Sequence, residues 1–240
     1  MKELNIFQLL KRLLKMKSIN YYKEIKIGVR PSNLAVRQAE EIIAKLELLG
    51  FERARFTIKK YHTDGDLDKE TSISKIERSN FFTNTVDKAV LSGDVDFGVH
   101  SAKDLPDIIP NGLRIACITK SINRHDALVS RDNLKLAELP LYSKIGASST
   151  RRKEQLKKFR SDFEIVDIRG NIEERLEKFE KNKLDGLIVA TCALVRLGLV
   201  DRITAEIPFN ILEPHPLQGS LAIIVREDNY EFAEKFKKIN

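Results

Sequence analysis

From about residue 24 the chain alternates short β-branched runs with stretches of helical periodicity, which predicts a parallel or mixed sheet covered by helices. Strands are expected near Ile25–Val29, Phe56–Tyr61, Phe97–His100, Arg114–Thr119, Ala127–Ser130, Lys144–Gly146, Glu164–Ile168, Leu187–Ala190 and Leu221–Val225. Helices are expected over Ser32–Leu49, Phe81–Leu91, Ser149–Phe159, Asn171–Lys181 and Ala193–Leu197, with Gly50 and Gly93 as stop signals after the first two. So many strands exceed one small sheet. Turns near Pro106, Pro110, Pro140, Pro208, Pro214 and Pro216 mark loops where the chain can change domain. Ahead of this pattern, Ile6, Leu9, Leu10, Leu13 and Leu14 form one helical stripe, with Lys11, Arg12, Lys15 and Lys17 elsewhere. Residues 1–22 therefore read as an amphipathic extension that docks on the body or on a partner in preference to lying on a membrane surface. They do not read as a signal peptide, because charges interrupt the apolar region.

Composition narrows the class. The 240 residues are 42% hydrophobic and 32% charged with only 11 Gly and 7 Pro, which suits a globular chain and excludes collagen-like, mucin-like and disordered readings. The apolar run Leu187 to Val195 is closed by Arg196 and is too short for a membrane span, which needs about 20 residues. Cys117 and Cys192 lie in separate apolar segments without metal spacing, so buried free thiols in a reducing, cytoplasmic compartment are expected, with no metal. The net charge of +7 points to a polyanionic partner: nucleic acid, an acidic membrane surface, or a ligand with many carboxylates or phosphates.

Ligands of such sheets bind at the C-terminal ends of strands, where loops and helix N-termini present N–H groups to anions. Four turns carry suitable side chains there. Gly28-Val-Arg-Pro-Ser-Asn places Arg30 at the mouth of a helix that Ser32 can cap; Val99-His-Ser-Ala-Lys-Asp-Leu-Pro sets Ser101 and Lys103 beside Asp104. Gly146-Ala-Ser-Ser-Thr-Arg-Arg brings Ser148, Ser149, Arg151 and Arg152 to a strand-to-helix junction, and Ile168-Arg-Gly-Asn-Ile-Glu-Glu-Arg offers Arg169 and Arg175. Singly, each turn also reads as a solvated face or a surface ion pair. Together, several planar guanidinium forks around one cleft suit a polycarboxylate better than a neutral metabolite.

The stretches Ile27–Gln38, Val99–Pro106, Gly146–Arg152, Arg169–Leu176 and Arg196–Leu199, in this order, closely resemble porphobilinogen deaminase, also called hydroxymethylbilane synthase. The resemblance covers roughly residues 24 to 228. It implies an α/β fold of two periplasmic-binding-protein-like (type II) domains, with mixed sheets flanked by helices and a cleft between them. The expected division is 23–118 plus 216–240 for the first domain and 119–215 for the second. It also implies a cytoplasmic transferase of haem biosynthesis, a monomer, that condenses four porphobilinogen molecules into hydroxymethylbilane with loss of ammonia, on a dipyrromethane cofactor.

By the same resemblance the catalytic aspartate falls on Asp104, aided by Lys103, to hold pyrrole N–H groups and stabilise the cation formed as the aminomethyl group leaves. Lys103 and neighbouring arginines should favour the ionised carboxylate. Arg30, Ser32, Ser101, Ser148, Ser149, Arg151, Arg152, Arg169, Arg175 and Arg196 fall on positions that grip acetate and propionate groups, and Gln218 matches a family glutamine. Porphobilinogen and linear oligopyrroles, not nucleic acid, then account for the positive balance.

Three departures stand out. Ile76-Glu-Arg-Ser-Asn-Phe replaces a glycine-rich, lysine-bearing lid, with Arg78 as a substitute charge, and Ala147 replaces a threonine. The chain stops at Asn240 after a short charged helix, so the family's third α+β domain, with its cofactor-tethering cysteine, is expected to be absent, as in a short, chlamydia-like form. Cys192 is then the better substitute tether, against a reading as a small core residue at a helix start, and Cys117 a packed thiol. Two other classes remain: a non-catalytic binder of tetrapyrroles or other polycarboxylates, which would tolerate Asp104→Asn, and a nucleic-acid binder, which needs a basic face with exposed aromatics.

Overall fold

The computed structural model describes residues 24–67 and 82–239. The amphipathic segment expected at 1–22 and the substituted lid stretch around Arg78 lie outside them. In chain order the elements are β1 Ile25–Val29, α1 Asn33–Glu47, β2 Phe56–Lys60, α2 Asp64–Leu67, α3 Asn84–Leu91, β3 Phe97–Ser101, β4 Leu113–Ile118, β5 Asp126–Ser130 and β6 Lys144–Gly146. There follow α4 Thr150–Phe159, β7 Glu164–Val166, α5 Ile172–Lys181, β8 Gly186–Ala190, α6 Thr191–Leu197, β9 Ala205–Ile207, β10 Leu221–Arg226 and α7 Tyr230–Phe236.

The strands form two five-stranded sheets, ordered β2-β1-β3-β10-β4 in sheet 1 and β7-β6-β8-β5-β9 in sheet 2. All nine expected strands are present within a residue or two. β9 is the addition: three residues with Glu206 at their centre, held at the edge of sheet 2 by antiparallel pairing with β5. So short a strand has no period to read. The single turn α2 was likewise not expected, and α3 starts at Asn84 rather than at Phe81, with Thr83 as its N-cap.

Strand alternation sends side chains to both faces, and helices cover each face. In β10, Leu221, Ile223 and Val225 join α1, β1 and α7 in one core, whereas Ile224 meets Val90 of α3 on the other side. In β8, Leu187 and Val189 pack with α5 and α6, and Ile188 packs with Leu156 of α4. Phe97 anchors the first core edge-on against Phe236, with ring centroids 4.8 Å apart.

The chain passes from sheet 1 to sheet 2 after β4 and returns before β10. Gly219, on the return, sits at φ 87° with Ser121 Oγ and Asn123 O where a Cβ would stand, so only glycine lets the two crossing segments lie together.

Helix starts follow capping rules. Asn171 and Glu174 form a reciprocal box at α5: Glu174 N donates to Asn171 Oδ1 at 2.8 Å and Asn171 N to Glu174 Oε2 at 3.1 Å. Asn171→Ala is expected to lower stability by about 1 kcal/mol, read as a lower urea midpoint at unchanged slope.

Candidate functional site

Strand direction decides which turns meet. β1 and β3 run parallel, so the turn after Val29 and the turn after Ser101 open at one edge of sheet 1; β10 runs antiparallel to β3 and brings Gln218 to Ser220 to that edge. In sheet 2, β6 is parallel to both β7 and β8, so Ser148 to Arg152, Arg169 and Cys192 leave together. β5 is antiparallel to β8 and begins at that edge, with Asp126.

A chain of hydrogen bonds joins the two edges. Lys103 Nζ donates to Gln218 Oε1 at 3.0 Å, and Gln218 Nε2 donates to Asp126 Oδ1 at 2.8 Å and to the carbonyls of Arg124 and His125. Asp126, wholly buried, takes Arg152 in a fork, with NH2 to Oδ1 at 2.5 Å and Nε to Oδ2 at 3.1 Å, and Arg151 NH2 stands 3.7 Å away. Burial pushes the Asp126 carboxyl up, but Arg152, Lys103 and the Gln218 amide outweigh it and leave the group below the usual carboxylate range. Asp126 was not expected as a site residue. A charge just before the apolar run Ala127–Val129 looks like an ordinary strand flank.

Around this bridge the cations crowd. Burial, then Arg152, Arg169 and Arg30, lowers Arg175 to about 10 against the opposing pull of Asp104. Those charges therefore lie within electrostatic reach of Arg175. Lys103 is lowered too, first by desolvation and then by Arg152, with Asp104, Cys192 and Asp126 opposing. Asp104 closes the single helical turn Ala102–Asp104 after β3, and among the described residues no side chain hydrogen-bonds its carboxylate.

The remaining expected residues have these neighbours. Arg30 is held by Asp66 and lies 4.9 Å from the Phe82 ring centroid. Ser32 caps α1 by accepting from Ala35 N at 3.2 Å, Ser101 accepts from Gln38 Nε2 at 2.9 Å, and Ser149 caps α4 by accepting from Arg152 N at 3.3 Å. In these bonds the three hydroxyls serve as acceptors, which leaves their protons for a ligand oxygen. Ser148 differs, since its hydroxyl donates to Ile168 O at 2.6 Å within the core. Arg151 also donates to Glu213 O. Arg169 is buried, and its carbonyl accepts from Lys178 Nζ at 2.7 Å. Gly170 beside it has φ 120°, with Glu174 where a Cβ would stand.

The Arg196 guanidinium donates to Glu41 of α1 at 2.8 Å and to Gly219 O at 2.9 Å, which ties α6 to α1 and to the returning segment. Cys192 is packed with Ala127 and Val189, and Cys117 with β10; both are buried free thiols.

Arg30, Ser32, Gln38, His100, Ser101 and Asp104 line a cavity of about 60 Å³. A larger hollow of about 370 Å³, between Arg131, Glu180, Arg202 and Thr204, follows Ser130 at the opposite end of β5 and shares no residue with this group. Among the described residues there is no cluster able to hold a metal ion and no helix long and apolar enough to cross a membrane.

Residues 25–234 match the family model described as porphobilinogen deaminase, dipyromethane cofactor binding domain. The chain is 37% identical over 218 residues to the porphobilinogen deaminase of Syntrophomonas wolfei, covering 91% of this chain and 71% of that protein. It is 41% identical over 218 residues to that of Pelotomaculum thermopropionicum, covering 91% and 70%. Among solved structures, the second substrate binding domain assigned to an amino acid ABC transporter of Streptococcus pneumoniae superimposes with a TM-score of 0.52 at 12% identity, covering 90% of this chain and 91% of that one. That likeness concerns the fold alone: two sheets with helices on both faces, as in periplasmic binding proteins.

Proposed function

The chain belongs to the porphobilinogen deaminase family, and on that footing we propose that it condenses four porphobilinogen molecules into hydroxymethylbilane with release of ammonia. The observation that supports this most is that Arg30, Arg152, Arg169 and Asp104, drawn from both sheets, all act electrostatically on Arg175. Porphobilinogen carries two carboxylates and a protonated aminomethyl group. A growing chain of such units is strongly anionic and needs several cations in one place, while the departing ammonia leaves a cation that needs a carboxylate.

Roles follow from placement. Arg175 presents planar donors to carboxylates at the edge of sheet 2, with Arg151 and Arg169 beside it; Arg152, its fork taken by Asp126, adds positive charge, and Ser149, Ser32 and Ser101 add hydroxyl protons. Lys103, held by Gln218, contributes an ammonium on the opposite side. Asp104, without a hydrogen-bonding side chain of its own, is placed to accept the pyrrole N–H. Its charge also favours the cation left when the aminomethyl group departs. Arg196 keeps the two sheets in register by gripping Glu41 and Gly219 O.

Dipyrromethane fits this donor set, because its four carboxylates match a site rich in guanidinium groups; when bound it supplies the terminal pyrrole carbon to which the first unit is joined. Arg151, Arg152, Arg169 and Arg175 would hold it. Should it be attached within these residues, Cys192 is the thiol nearest Lys103 and Asp104, and an adduct that disappears in Cys192→Ser reads that directly.

The test is intact mass of the full chain before and after incubation with porphobilinogen, alongside porphobilinogen consumption with preformed hydroxymethylbilane as primer. Consumption with stepwise additions of one pyrrole unit is expected. No consumption and no uroporphyrinogen in the primed assay would overturn the proposal.

A further inference from the structure

Arg30, at the end of β1, already holds a carboxylate. Its guanidinium forms a fork with Asp66, NH2 to Oδ1 at 2.5 Å and Nε to both oxygens at 3.1 Å and 3.3 Å. Asp66 belongs to α2 and is not one of the residues that the sequence nominated. Its Oδ2 also accepts from Thr63 N at 3.0 Å and Thr63 Oγ1 at 2.7 Å. Arg30 lines the same cavity as Ser32, Ser101 and Asp104, which at about 60 Å³ is too small for a substituted pyrrole. Phe82 completes the enclosure from the other side of Arg30.

We propose that Asp66 is an internal stand-in for a substrate carboxylate, competing for Arg30 and thereby setting both affinity and selectivity for carboxylate-bearing ligands. The identity of the ligand rests on the reading above, but the competition itself does not. Two features support it. The Arg30–Asp66 contact is made through Nε and NH2, the two donors on one side of the guanidinium that a ligand carboxylate would use, so a ligand can take over the same donors. Asp66 is also independently anchored: Thr63 supplies two donors that remain after Arg30 leaves, so the released carboxylate is not stranded. An incoming carboxylate therefore exchanges one fork for another at little net cost, whereas a ligand without one must break the pair and return nothing. That asymmetry is a specificity device.

Burial pushes the Asp66 carboxyl up, but the hydrogen bond and charge of Arg30 and the Thr63 donors outweigh it and leave the group below the usual carboxylate range. Asp66 thus remains charged throughout the neutral range and competes at any working pH. Other charged groups near Arg30 are Asp104, in the same cavity, and Arg175. Neither replaces Asp66, because Asp104 makes no hydrogen bond to Arg30.

The experiment compares wild type with Asp66→Asn, an isosteric change that keeps an acceptor for Thr63 while weakening the hold on Arg30. If about nine-tenths of the unliganded protein has Arg30 paired, removing the competitor raises apparent affinity about tenfold. The expected result is a KM for porphobilinogen about tenfold lower with kcat changed far less, and no gain in Arg30→Gln or in Arg30→Gln with Asp66→Asn. Succinate, titrated by its effect on the thermal midpoint, provides a probe independent of turnover. It should act at lower concentration on Asp66→Asn than on wild type even if neither protein consumes porphobilinogen. A KM that is unchanged or raised in Asp66→Asn, together with an unchanged succinate response, would show that Asp66 merely orders Arg30 and would overturn the proposal.

Discussion

Asp104→Asn is expected to slow porphobilinogen consumption about 100- to 1000-fold, the scale of removing one electrostatic stabiliser from a closed site, while the urea midpoint stays at the wild-type value. The stability half of this expectation follows from the surroundings. Asp104 is only partly buried and no side chain among the described residues hydrogen-bonds its carboxylate, so the isosteric amide strands no partner. The rate half follows from charge. Asp104 is the carboxylate that opposes the lowering of both Lys103 and Arg175, and without it the cation left by the departing aminomethyl group loses that opposing charge. Binding of the substrate carboxylates should survive, so kcat should fall much further than KM changes. Steady-state assay of the purified variant decides it. Wild-type turnover in Asp104→Asn would remove the catalytic role and leave a binder of polycarboxylates.

The largest expected loss of stability belongs to a residue that sequence reading passed over. Asp126→Ala should destabilise the fold by about 3–5 kcal/mol, because Arg152 then lies buried with no carboxylate to receive its fork. Gln218, the partner of Lys103, would also lose one of three acceptors for its amide nitrogen, so the contact between the two sheets should loosen together with the cation site. Equilibrium urea unfolding followed by far-ultraviolet circular dichroism measures the loss; a cost below 1 kcal/mol, the scale of an exposed ion pair, would contradict it. The same pair predicts the acid behaviour. The Asp126 carboxyl is lowered in the folded chain, so the unfolded chain takes up its proton at higher pH. Its contribution is therefore complete above the ordinary carboxylate range and is lost as pH falls through the lowered value. Asp66 adds in the same direction. Asp126→Asn should flatten this part of the acid slope.

Which residues could be foreseen has a physical explanation. Arg30, Asp104, Ser149, Arg152 and Arg169 were legible as charged or polar residues because each follows an apolar strand run at a strand end, where such sheets take ligands, and the family resemblance supplied their roles. Their partners were not. Arg30 and Asp66 are 36 positions apart, Gln218 and Asp126 are 92 apart, and Arg196 and Glu41 are 155 apart. No local period links such pairs; strand order alone brings them together. Arg196 illustrates the consequence. Expected among the ligand-gripping arginines, it has partners that no local pattern announces: its guanidinium lies beside Glu41 of α1 and Gly219 O.

Apolar period, capping residues and turn chemistry along the chain determined the elements, the two-sheet α/β class and the turns that carry charge, since these depend on neighbours a few positions away. Tertiary structure decided which of those charges oppose, pair or crowd one another. The reason is that parallel and antiparallel pairing aligns strand ends remote in sequence, and burial between them turns ordinary surface charges into the coupled set around Asp104 and Asp126.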